Sequence, residues 1–325
     1  MPEIPSLSPR TLAVIDIGTN TVLLLVAEIG DAGGIHPLAY EQRIPRLGQG
    51  VDSRKRLSAG AMQRVVTVLN EYRSIITRHS LSTAVVIGTS AVRDAGNRDE
   101  FVSLVHAQTG FTVEVLSGVD EALWTYRGAI SGIRGIERAT VVDIGGGSTE
   151  ISTGSASSVD TSISIDIGSV RLTERFIKHD PPQPEELHAV EKEIESALTA
   201  TVQAPDPPGT VVAVAGTATT LALLARGARE FSLEAVSGGT LSLAEIESLA
   251  STLSQKSVAQ ILTGGSYLVG RADVITAGAM ILEAVMKKLG ARSVIVSERG
   301  VRYGIALREW ENRRTGEETE TTSDL

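Results

Sequence analysis

The feature that most constrains this chain is a duplicated strand–turn–strand unit. Residues 12–26 read as a β-branched run, a polar turn and a second apolar run, with Asp16-Ile17-Gly18-Thr19-Asn20-Thr21 at the turn. Residues 140–152 repeat the plan around Asp143-Ile144-Gly145-Gly146-Gly147-Ser148-Thr149-Glu150. The two Asp-Ile-Gly units, at Asp16 and Asp143, lie 127 positions apart. A solenoid repeat is much shorter, roughly 20–50 residues. The spacing therefore implies two similar domains facing each other, in keeping with 325 residues at roughly 150 per domain.

Helices fall between these units. Met62, Val65, Val66, Leu69, Tyr72 and Ile76 form an apolar stripe at helical spacing, with Ser58 as N-cap. Leu187, Val190, Ile194 and Leu198 form a second stripe, opening after Pro184 with Glu185 and Glu186 in the first turn. A third runs from about Asp273 to Leu289 through Ile281, Leu282, Val285 and Met286. Apolar strands at 85–87, 211–214 and 293–296 alternate with them, which is α/β patterning. Residues 180–184 and 205–209 are Pro-rich loops, and the turn at 118–122 is the expected domain crossover, where a helix from Glu121 to about Ile130 begins. The expected division is 9–122, onto which a helix of about 302–312 packs back, then 123–301, then a disordered acidic tail over 313–325.

Composition narrows the function. No run reaches the roughly 18 apolar residues that span a bilayer, and Met1-Pro2-Glu3-Ile4-Pro5 is no signal peptide, so no membrane association and a cytoplasmic location are expected. The chain has 0 Cys, which removes disulfides, thiolate metal sites and a cysteine nucleophile. Its five histidines, His36, His79, His106, His179 and His188, lie far from the turn motifs, show no metal-ligand spacing and read as surface residues. Nucleophilic attack is then simplest with activated water. With 3% aromatics and a net charge of -9, no nucleic-acid partner is expected, and any anionic ligand must be held by local devices.

Such devices are present. Gly18 lets the first turn expose backbone N–H groups beside Thr19, Asn20 and Thr21, and the Asp16 carboxylate next to them suits a hydrated divalent cation near phosphate oxygens. Three successive glycines, Gly145, Gly146 and Gly147, cost backbone entropy that a hairpin alone does not justify; close approach of a ligand does. Asp143 and Glu150 flank them, and Ser148 follows. Gly216-Thr217 opens an apolar helix whose N-terminus is an anion site or a hydroxyl-capped core helix. After the strand at 85–87, Ser90 and Arg93 open a helix, Arg93 either forking onto phosphate or pairing with Asp94 or Asp99. Glu121 sits at the domain junction, where a single Glu is ordinarily a solvated helix residue.

Together these segments resemble the exopolyphosphatase/guanosine pentaphosphate phosphohydrolase (Ppx/GppA) family. The resemblance rests on the two Asp-Ile-Gly loops, Gly88–Ala95, Ser117-Gly118 with Glu121-Ala122, Gly168–Glu174, Gly216–Thr220, Arg271-Ala272-Asp273 and Val296–Gly304, in this order over about residues 11–310. It implies two ribonuclease H-like domains of the actin, sugar-kinase and Hsp70 type across a cleft, and hydrolysis of a terminal phosphoanhydride. It also implies Mg²⁺, with Mn²⁺ as substitute and K⁺ as a monovalent candidate. Glu121 would be the general base, and Asp143, Glu150 and Asp16 would hold the metal, Glu150 also helping to position the water. Gly18, Thr19, Asn20, Thr21, Ser90, Arg93, Gly145, Gly146, Gly147, Ser148, Gly216 and Thr217 would grip phosphates.

The implied partners are inorganic polyphosphate, with guanosine pentaphosphate (pppGpp) and ADP or ATP as further ligands, and a second copy in a homodimer. Two departures stand out. The chain is apolar at Val22-Leu23-Leu24-Leu25, where many relatives carry a basic or polar residue, and has Ser237-Gly238-Gly239 where many have His-Gly. The helical C-terminal domains of longer relatives are also missing, which implies shorter substrates or less processive cleavage. Competing readings are an ATP-dependent kinase of the same superfamily, for which no acceptor-sugar signature is found, and a non-catalytic nucleotide or alarmone sensor, against which Glu121, Asp143 and Glu150 speak.

Overall fold

The computed structural model describes residues 10–155, 158–202 and 209–323. The segment Met1–Pro5, most of the loop at 205–209 and the last two residues lie outside them. Among the described residues, eleven strands form two sheets. The first contains β1 (Arg10–Ile17), β2 (Val22–Ile29), β3 (Ile35–Arg43), β4 (Val85–Gly88) and β5 (Val113–Val115), in the order β3-β2-β1-β4-β5. The second contains β6 (Arg138–Ile144), β7 (Thr149–Ser155), β8 (Val159–Ile165), β9 (Thr210–Val214), β10 (Gly239–Ser242) and β11 (Ser293–Val296), in the order β10-β11-β9-β6-β7-β8.

The duplication is now visible as topology. In each sheet an antiparallel meander (β1–β3, β6–β8) is extended by strands parallel to its first member, β4 and β5 in one, β9 and β11 in the other. These are two ribonuclease H-like lobes. The central strands are buried on both faces, with Val14, Ile15 and Ile17 of β1 and Val141, Val142 and Ile144 of β6 at 2% exposure or less, which is why they read as continuous apolar runs.

The helices form where the stripes place them. Ser58 caps Ala59–Arg78, its side chain accepting from the Ala61 N–H, and Val65, Leu69, Tyr72 and Ile76 go into the first core. The helix Ile275–Leu289 begins two residues past Asp273, and Ile281, Leu282, Val285 and Met286 fill the second core. The helix Gly118–Ile130 starts three residues before Glu121 because Ser117 caps it, accepting from the Asp120 N–H at 3.1 Å.

That helix joins the lobes. Tyr126 and Ala129 pack on β6 and β9 residues, while Trp124 sits with Val301, Tyr303 and Ile305 of the last helix against Leu12, Val14 and Leu25. The last helix, Val301–Ser323, continues beyond residue 313, where the sequence alone suggests a tail. Two glycines permit the crossing: a Cβ at Gly304 would land on the Trp124 carbonyl, and one at Gly128 on the Gly300 carbonyl. Backbone cannot rotate aside as a side chain can. Gly304→Ala is therefore expected to lower stability by about 1–3 kcal/mol, read as a fall in the calorimetric midpoint. Gly300→Ala, where a Cβ meets nothing within 4 Å, is the control; equal midpoints for the two would refute the close-packing account.

Candidate active site

The site lies in the cleft between the lobes, at the strand ends where the duplicated turns face each other. Its walls are formed by Asp16, Gly18, Thr19, Asn20, Thr21, Thr89, Ser90, Glu121, Asp143, Gly145, Gly146, Gly147, Ser148, Gly216, Thr217 and Arg271, among others. Of the residues singled out from sequence, all but Arg93 and Glu150 line it.

Sheet register explains the carboxylates. Asp143 stands opposite Glu150 on β7, and Glu150 opposite Ser164 on β8, so the three share one face. The Ser164 hydroxyl donates to Glu150 at 2.6 Å, and Glu150 is buried one strand behind the cleft wall. In the first lobe the same row reads Asp16, Leu23, Gln42. All three line the cleft, so the apolar departure noted at 22–25 falls on the position that Glu150 occupies in the other lobe.

Burial drives the electrostatics. It is the largest cause raising Asp16 and Asp143 to about 7 each, with the Glu121 charge next; Arg302 partly offsets it at Asp16. Burial, then the charges of Glu121 and Asp143, holds Glu150 well above the usual carboxylate range. Glu121 is not a solvated helix residue: it is buried, and burial pushes its carboxyl up while the Arg93 guanidinium pulls it back. Arg93 Nη1 donates to Glu121 Oε2 at 2.6 Å and to the Leu116 carbonyl at 3.3 Å. Arg93 thus engages the carboxylate instead of facing the cleft.

The donors of the glycine loop are aimed by their own carbonyls. Gly145 O accepts from the Ser169 N–H, Gly146 O from those of Val170 and Arg171, and Gly147 O from Arg171 Nε. Since C=O and N–H point oppositely across a trans peptide, the N–H groups of Gly146, Gly147 and Ser148 face away from those anchors. They have no protein partner among the described residues. In the first loop Thr19 O and Asn20 O are tied to the N–H groups of Gly48 and Arg46, leaving the N–H groups of Asn20 and Thr21 equally free. A Cβ at Gly147 would lie 2.5 Å from Ser90 Oγ and 2.9 Å from Thr19 Oγ1, so only glycine lets the loops approach. The Asn20 side chain donates across to Gly270 O at 3.2 Å, and the Thr217 hydroxyl to Ile144 O at 3.1 Å. What these two offer the cleft is backbone.

Sequence reasoning missed an unpaired cation. Arg271 lines the cleft with no hydrogen-bonding or charged partner among the described residues, and burial lowers its guanidinium to about 10. It lies so close over Gly216 that a Cβ there would overlap it. Gly216 is in the first turn of the helix Ala215–Ala225, whose dipole is positive at that end. Two positive features face each other with no protein anion between them. The signal was present in the quoted Arg271-Ala272-Asp273, but an Arg before a helix ordinarily reads as surface.

Asp16 Oδ1 and Ser90 Oγ are buried with no hydrogen-bond partner among the described residues. No group of three or more His, Cys, Asp or Glu is placed to enclose a metal, again among the described residues. That combination fits Mg²⁺, which keeps waters and takes one or two carboxylates plus substrate phosphates. An acid whose pKa rises from 3.8 to about 7 on folding binds more protons folded than unfolded. Its contribution makes the metal-free protein less stable as pH rises through that window. A divalent ion needs the deprotonated form. Thermal stabilisation by Mg²⁺ is therefore expected to be small at pH 5.5, grow toward pH 7 and level off above it. Equal stabilisation at pH 5.5 and 8 would remove Asp16 and Asp143 as ligands.

The profile of the Ppx/GppA phosphatase family matches residues 25–313. The chain belongs to the Ppx/GppA family. Exopolyphosphatase 2 of Mycobacterium tuberculosis is 35% identical over 311 residues, covering 91% of this chain and 97% of that protein. Exopolyphosphatase 1 of Mycobacterium leprae is 29% identical, covering 94% and 91%. Among solved structures, the Aquifex aeolicus Ppx/GppA family member superposes with a TM-score of 0.78 at 30% identity, covering 93% of this chain and 98% of that one. A Cytophaga hutchinsonii exopolyphosphatase superposes at 0.86 with 26% identity, covering 93% and 98%. The two-lobed architecture is thus that of the Ppx/GppA proteins, and no described helix is long and apolar enough to cross a membrane.

Proposed function

We propose that this chain is an exopolyphosphatase that releases orthophosphate from the end of inorganic polyphosphate. The observation that carries the reading is the set of unpartnered donors converging on the cleft from both lobes, beside the buried carboxylate of Glu121. They comprise the N–H groups of Asn20, Thr21, Gly146, Gly147 and Ser148, the end of the helix Ala215–Ala225, and Arg271. A phosphate chain offers acceptor oxygens all round and matches this wall without needing a broad basic surface.

Charge develops on phosphate oxygens during the transfer, and preorganised donors in a closed cleft stabilise it without reorganising. Glu121, whose ionised form burial disfavours and Arg93 favours, takes the proton of the attacking water. As the water oxygen bonds to the terminal phosphorus, the bond to the bridging oxygen breaks and its electron pair leaves with the shortened chain. Asp16 and Asp143, with Glu150 behind, would hold Mg²⁺, which when bound neutralises phosphate charge. A homodimer and a cytoplasmic location belong to the same reading.

Colorimetric phosphate release from polyphosphate of defined length, pppGpp and ATP, each with and without Mg²⁺, tests it. Release from polyphosphate is expected. Release from pppGpp alone would make the chain a guanosine pentaphosphate phosphohydrolase, and none from any substrate would make it a sensor.

A further inference from the structure

Arg171 is a buried cation with partners in both lobes, and it belongs to neither the phosphate grip nor the carboxylate cluster. It lies in the first turn of the helix Ser169–Phe176 in the second lobe and is 7% exposed. Its Nε donates to Gly147 O at 2.6 Å, its Nη1 to Asp52 at 2.5 Å and its Nη2 to Asp94 at 2.8 Å. Asp52 and Asp94 are both in the first lobe. One guanidinium therefore grips the glycine loop of its own lobe and two carboxylates of the other. Only a planar fork of fixed donors satisfies three such partners at once; a lysine ammonium does not.

The Asp94 end leads to the base. Asp94 Oδ1 is 4.0 Å from Arg93 Nε, and Arg93 Nη1 holds Glu121 at 2.6 Å. While Arg171 occupies Asp94, the Asp94 carboxylate leaves Arg93 to Glu121. Without Arg171, the partly buried Asp94 keeps only the 4.0 Å contact with Arg93, and its nearest compensation is to draw Arg93 closer and off Glu121. At the other end, losing the bond to Gly147 O frees the peptide whose N–H is that of Ser148.

We propose that Arg171 is a positioning residue that couples the apposition of the lobes to the alignment of both the Ser148 N–H and the Arg93–Glu121 pair. This rests on the exopolyphosphatase reading only for its kinetic readout. Arg171→Gln is expected to lower kcat by about 10–10²-fold, the range of a lost charge-assisted hydrogen bond, with KM changing less. Adding Asp94→Asn to Arg171→Gln is expected to restore part of kcat, because a neutral Asn no longer competes for Arg93. Arg171→Lys is expected to behave like Arg171→Gln; if the Gln variant does not fold, the same pair of measurements is made on the Lys variant.

An activity-independent signature is the Arg93 Nε–H resonance in protein labelled with ¹⁵N-arginine, assigned by its loss in Arg93→Lys. It is expected to shift in Arg171→Gln and to return toward the parent position in the double variant. A parent inactive on polyphosphate would overturn the functional reading while leaving this signal to judge Arg171. An unshifted resonance, an unchanged kcat, or a double variant no better than Arg171→Gln would overturn the proposal.

Discussion

Glu121→Gln is expected to cut phosphate release from polyphosphate by at least about 10²-fold, the lower end of what a positioned general base contributes, while the protein stays folded. Gln matches Glu in volume, so the buried position at the start of the helix Gly118–Ile130 keeps its packing. The amide oxygen still accepts from Arg93. The loss is confined to the capacity to take a proton. Removing one of four buried, mutually repelling carboxylates, whose pKa values all rise on folding, also points to a thermal midpoint at or above that of the parent. Turnover near the parent level in a folded Glu121→Gln variant would take Glu121 out of the mechanism and leave water activation to another group.

Arg271→Gln separates function from stability with opposite signs. The guanidinium faces the positive end of the helix Ala215–Ala225 with no anion among the described residues to balance it, so the ligand-free protein carries an uncompensated charge. Replacing it is expected to raise the midpoint of the ligand-free protein. A charge-assisted hydrogen bond of about 1.5–3 kcal/mol to a phosphate oxygen is then lost, so kcat/KM should fall about 10–10²-fold, mostly through KM. Calorimetry without ligand and steady-state kinetics check the two halves. A lower midpoint together with unaltered kcat/KM would mean that Arg271 is a structural residue and that the anion sits elsewhere in the cleft.

These two residues show different degrees of legibility. Glu121 was legible only through its motif, because nothing local distinguishes a helical Glu that will be buried from one that will be solvated. Its burial depends on Arg93, which follows β4, and on the lobe beyond it. Arg271 was not legible as a site residue: its lack of partners is a property of everything around it. From sequence alone, Arg93 reads as a phosphate ligand or a surface ion pair. The fold gives it Glu121 as partner, 28 positions away in sequence.

The sequence by itself determined the two lobes and their turns. The apolar runs, the caps at Ser58 and Ser117 and the three successive glycines act over a few residues, and a duplicated pattern must fold twice. Tertiary structure decided which groups meet. Carboxylates from three strands and a helix become one cluster only when sheet register puts Asp143 beside Glu150 and the cleft brings Asp16 and Glu121 toward them. Their raised pKa values, the unpaired Arg271 and the Arg171 bridge all depend on desolvation and on distances across the cleft, and desolvation exists only once the two lobes face each other.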